Sequence, residues 1–119
     1  SYVCGATDVP LLHETIGQNL QRTAAANPDN DALVSVHQAI RLTYRQLHDH
    51  VNQVARGLLA LGVQKRDRVG VWAPNCAEWA VMQYATAKVG GWVGGCERLA
   101  WPVQGAWCRL VLRSESVGG

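Results

Sequence analysis

The chain has 119 residues, 48% of them apolar and 17% charged, with a formal net charge of +2. That length suits one domain rather than two, and a sizeable core forms only if most of the chain joins it. Charge so near balance argues against a nucleic-acid binder, and a charged fraction below the roughly 25% of an average domain points to faces that expect a partner.

Residues 1–12 read as an extended lead-in. A helix follows from Thr15, where Thr15 and Gln18 stand in capping-box spacing, and Ile16, Leu20 and the Thr23/Ala24 pair recur on one face. Pro28 ends it, because proline lacks the helical N–H and pushes Asn27 toward extended geometry. Ala32 to Val36 predicts a short strand, with a turn behind it and a second strand returning through Ile40, Arg41 and Leu42. Thr43 and Gln46 form a second capping box. The helix they open carries an apolar stripe of Leu47, Val51, Val54, Leu58 and Leu61, and Gly62 stops it. Lys65, Arg66 and Arg68 form the densest basic run, interrupted by Asp67, and read as a solvated turn.

Arg68 to Ala73 predicts the next strand, closed by Pro74 and Asn75. A third helix is expected with Asn75 at its cap and Glu78 three residues on, where a carboxylate also suits the helix dipole. Trp79, Met82, Ala85 and Val89 should face inward, Lys88 sits in the last turn, and Gly90 and Gly91 close the helix. Helices of about four turns alternating with short apolar strands give the rhythm of crossover units on a parallel sheet. The fold class is therefore α/β: the start of a larger three-layer, mostly parallel sheet domain with three capped helices.

From Gly91 the patterning changes. Seven of the twelve glycines lie from Gly90 onward, together with Trp92, Trp101 and Trp107. Trp92 and Val93 could begin a strand that Gly94 and Gly95 would weaken. Cys108 to Leu112 could form another, and the last six residues read as a frayed terminus. One reading makes the three tryptophans a stacking platform or partner patch. The other makes this an atypical tail, truncated or out of frame. The chain thus divides into a lead-in (1–12), a folded unit (13–90) and a Gly/Trp-rich tail (91–119).

A search for chemistry yields no site. Cys4, Cys76, Cys96 and Cys108 form no CxxC pair and have no zinc spacing. No phosphate-binding GxxxxGK[ST] loop or GxSxG elbow occurs. Ser35 and His37 should point to opposite sides of a strand, and His48 and His50 do not share a helical face. Asp49, Asp67 and Glu78 make no acid–base pair, and His13 stands apart. No residue is assigned a catalytic, cofactor-binding or metal-ligating role. No secretory leader opens the chain and no run of about 18 apolar residues could span a membrane. A cytoplasmic setting is expected, with mitochondrial import as the alternative.

Residues 13–90 resemble the N-terminal part of the adenylate-forming ligases, in particular the fatty-acid and medium-chain acyl-CoA synthetases. Carrying the resemblance are Leu42-Thr43-Tyr44, Leu61-Gly62-Val63, Asp67-Arg68-Val69, and Pro74-Asn75 through Glu78-Trp79, in the family's order and spacing. The opening helix and the Pro28-Asp29 turn are similar too. Two departures stand out: Arg66 occupies a position where the family usually has glycine, and the stretch after Gly90 lacks the family's Asn-Pro pair. The resemblance implies a parent that uses ATP, Mg²⁺ and coenzyme A to make an acyl adenylate and then a thioester. The parent's phosphate loop, ribose aspartate, magnesium glutamate and C-terminal lysine have no counterparts here. The expected role is a scaffold fragment, inactive alone, whose partner is the remainder of the ligase or else a second copy. The alternative is a non-catalytic interaction module built on the tail tryptophans.

Overall fold

The structure, a computed structural model, describes Gly5, Asp8, residues 10–95 and residues 109–113. Helix α1 (Ile16–Ala26) opens on the Thr15 capping box, with the Gln18 amide donating to Thr15 Oγ1 and the Thr15 amide to Gln18 Oε1. Strands β1 (Asp31–Ser35) and β2 (Ile40–Thr43) form an antiparallel hairpin. Helix α2 (Tyr44–Ala60) starts on the second box, Thr43 with Gln46. Strand β3 (Arg68–Trp72) leads to α3 (Ala77–Val89) and then to β4 (Trp92–Gly95), which pairs parallel with β3. Strand β5 (Arg109–Arg113) lies antiparallel along the other edge of β3.

The α/β class and the alternation of three helices with short strands are as read from the sequence. The sheet is divided, however: β1 and β2 stand apart from the three-stranded sheet, whose order is β4-β3-β5. Among the described residues the crossover rhythm is realised once, in β3-α3-β4. The tail holds more regular structure than its composition suggests. Gly94 and Gly95 stay in the ladder opposite Gly70 and Val71, and residues 109–113 keep register with β3 from Arg68 to Trp72. Trp101, Trp107, Cys4, Cys96 and Cys108 lie outside the described residues.

The core forms where α2 and α3 cover β3. Leu20, Leu47, Val51, Leu58, Val63, Val69, Val81 and Ala85 are buried together. Burying a side chain such as Val51 or Leu58, both nearly inaccessible, contributes roughly 1.5–3 kcal/mol. The α2 stripe holds at Leu47, Val51 and Leu58, with Val54 partly buried, while Ala55 joins the core. Leu61 departs from it: as the helix C-cap it is 64% exposed. Ile16 is likewise exposed, and the buried α1 residues are Gly17, Leu20 and Ala24.

Gly17 is buried beneath the Lys88 stem, so close that a Cβ there would lie 2.7 Å from Lys88 Cγ. The bare backbone of α1 lets the lysine stem cross it. On α3, Ala77, Val81, Ala85 and Thr86 are buried, while Met82, Tyr84 and Val89 pack partly against the core. The Thr86 side-chain hydroxyl is fully buried without a hydrogen-bond partner among the described residues.

Two turns complete the frame. Gly62 takes φ +88° at the end of α2, and the Val63 amide donates to the Leu58 carbonyl at 3.0 Å, as at many glycine-stopped helices. Arg66, in the turn before β3, takes φ +78°. That turn is pinned by the Gln64 amide on Asp67 Oδ2 (2.7 Å) and by the Arg66 amide on the Gly90 carbonyl (2.9 Å).

Candidate functional site

A polar cluster joins the hairpin turn to the start of α3. The third cap differs from its sequence reading. The N-cap is Cys76 rather than Asn75, and it makes no capping bond through its side chain. The missing acceptor comes from 39 residues away: the Ala77 amide donates to Gln38 Oε1 at 2.7 Å. The same oxygen accepts the Ser35 hydroxyl proton at 2.7 Å, and Gln38 Nε2 donates to Glu78 Oε2 at 2.9 Å. Gln38 thus serves as a remote cap, and the sequence gives no local sign of it because its partners lie on another element.

These bonds hold the Glu78 carboxyl below the usual carboxylate range. The Gln38 bond is the largest cause, followed by the residue's own backbone N–H; the Cys76 side chain and the charge of His37 add to it.

Ser35 and His37 do not point apart. The chain leaves β1 after Ser35, so the alternation ends there, and Ser35 Oγ comes to 3.4 Å from His37 Nδ1. The pair is still no nucleophile and base. A hydroxyl carries one proton, and in this arrangement it is directed at Gln38. Asp67 is engaged in its turn. His48 and His50 sit apart as expected, lining different depressions on α2. His13 is exposed. Among the described residues no three His, Cys, Asp or Glu side chains could hold a metal ion together. No helix there is long and apolar enough to cross a membrane. Of the tail tryptophans, Trp92 is described, and it is 69% exposed on β4.

A mostly apolar groove of about 750 Å³ runs between β2, α2 and α3, with Ile40, Leu42, Val54, Val81 and Met82 among its walls. Helices over a parallel crossover, a glycine-stopped α2 and a Pro-Asn turn into α3 make up an α/β unit. Residues 20–97 match the family model described as AMP-binding enzyme, and the chain belongs to that family.

Within the family its relatives include fatty-acid and medium-chain acyl-CoA ligases. It is 46% identical over 90 residues to the mitochondrial medium-chain acyl-CoA ligase ACSF2 of Mus musculus, and 47% identical to that of Homo sapiens. Each alignment covers 76% of this chain and 15% of the relative. Among solved structures, the Mycobacterium tuberculosis fatty acyl CoA synthetase superposes with a TM-score of 0.67 at 35% identity. That superposition covers 72% of this chain and 17% of the other. The N-terminal domain of FACL13 from the same organism gives 0.65 at 33% identity, over 70% of this chain and 21% of the other. The chain therefore spans about 15% of the length of the curated relatives it matches. The cytoplasmic expectation is overturned here, because the matching vertebrate acyl-CoA ligases are mitochondrial proteins. The absence of a leader pattern from the chain could not carry that inference.

Proposed function

We propose that this chain is the N-terminal scaffold of an ATP-dependent fatty acid–CoA ligase acting on medium-chain acids in mitochondria, and that it performs no catalysis alone. The observation that carries the reading is the family match over residues 20–97 set against a span of 15% of the relatives. Three polar side chains support it: Ser35, Glu78 and Asp67 are already engaged with a cap or a turn.

The ATP, Mg²⁺ and coenzyme A implied for the parent do not fit the donor set present. Among the described residues no three His, Cys, Asp or Glu side chains gather to hold a metal ion, and the sequence has no GxxxxGK[ST] loop. What the chain supplies is a packed wall, three helices against β3. The apolar groove beside α2 and α3 is the face on which the remainder of the ligase would rest; without it, that face favours self-association.

The test is acid-dependent exchange of labelled pyrophosphate into ATP, using octanoate. The 119-residue chain should give only background, and exchange above background that scales with protein would overturn the scaffold reading. A tagged parent protein found outside mitochondria by fractionation would overturn the assigned compartment.

A further inference from the structure

Away from the hairpin, helices α1, α2 and α3 border a second, open cleft of about 670 Å³. Its polar lining is Gln21 from α1, Lys88 from α3, and His48, Asn52 and Arg56 from α2. The three α2 residues fall at i, i+4 and i+8, in one line along the helix. Ala55, Leu59 and Val89 supply the apolar wall.

Lys88 is fixed in this cleft. Its stem crosses α1 at Gly17. Its ammonium donates to Asn52 Oδ1 and lies 3.3 Å from His48 Nε2. An ammonium has three N–H donors, so one remains for a ligand. Charge balance points the same way. Arg22, Arg41 and Arg45 are each paired with a carboxylate, on Glu14, Asp31 and Asp29. Lys88 and Arg56, like Lys65, Arg66 and Arg68 in and beside the turn before β3, have no carboxylate within ion-pair distance among the described residues. Of these, Lys88 and Arg56 line the cleft, and no acidic residue lines it. Asp49 approaches His48 Nδ1 at 3.8 Å but is not part of the lining.

We infer that this cleft binds a small organic anion: an oxyanion head held by Lys88 and Arg56, and a compact apolar body resting on Ala55, Leu59 and Val89. Charge-assisted hydrogen bonds to the head fix orientation, and the wall supplies contact area, as in most small-molecule sites. The site is independent of the hairpin cluster and of the scaffold role.

The test is calorimetric titration of the full chain with three probes: phenyl phosphate, inorganic phosphate as head alone, and benzyl alcohol as body alone. Phenyl phosphate should bind about tenfold more tightly than either. Lys88→Met keeps the stem over Gly17 and removes the charge, and Arg56→Gln changes an exposed side chain. Each should weaken phenyl phosphate binding about tenfold, while Arg41→Gln on the hairpin leaves it unchanged. Benzyl alcohol binding as tightly as phenyl phosphate, parental affinity in both cleft variants, or no saturable binding at millimolar probe would each overturn the assignment. Should Lys88→Met fail to fold, Arg56→Gln decides.

Discussion

Arg66 sits at φ +78°, a left-handed geometry that costs an L-residue about 1–2 kcal/mol. Arg66→Gly should raise stability by about 0.5–1 kcal/mol after the extra chain entropy of glycine is subtracted. A shift in urea midpoint at constant m would register it; an unchanged or lower midpoint would show the turn to be unstrained. At Glu78 the folded pKa lies below its ordinary value of 4.5. Its stabilising contribution is therefore full above that value and is lost as pH falls through the depressed folded value. Gln38→Ala removes the leading cause of the shift together with the Ala77 cap, which is worth about 1 kcal/mol. The stability gap between parent and variant should be largest at neutral pH and narrow in acid, without closing, because the cap is lost at every pH. A gap of equal size at pH 7 and pH 3 would refute the Glu78 assignment.

At the scale of elements, α1 approaches α3 closely where Gly17 lies under the Lys88 stem. Alanine normally improves a helix interior by up to about 1 kcal/mol over glycine. Gly17→Ala should forfeit that gain because its methyl collides with Lys88 Cγ. In a Lys88→Ala background the gain should return, giving a coupling of about 0.5 kcal/mol or more in a double-mutant cycle. Additive effects would mean the stem moves aside freely. The legible parts of these elements were the local ones. Both threonine boxes could be read because their partners stand three residues apart. The α3 cap could not, because its acceptor belongs to a hairpin turn. Ile16 fits a helical stripe equally well facing in or out, and the burial of Gly17, Leu20 and Ala24, with Lys88 laid over Gly17, fixes how α1 is rolled. The Ser35–His37 approach was missed for a similar reason: strand alternation was extended one residue past the strand's end.

Across the whole molecule, the family match ends at residue 97, yet β5 lies beyond it along the free edge of β3. An uncovered edge offers unpaired N–H and C=O groups to a neighbouring chain. Val111 stands opposite Gly70 in this ladder, and Val111→Pro takes away its donor. The variant should associate at concentrations where the parent does not, as light scattering coupled to gel filtration would read. An unchanged mass and melting curve would mean that β5 does not protect the edge. The division between the hairpin sheet and the β3 sheet could not be read from alternation, which marks strands but not the sheet they join. The remote cap links these separated parts in time as well as in space. With its proton held by Gln38 Oε1, Ala77 should exchange with deuterated water only when the hairpin turn lets go, so the first turn of α3 would keep the rhythm of β1 and β2 rather than fray on its own clock.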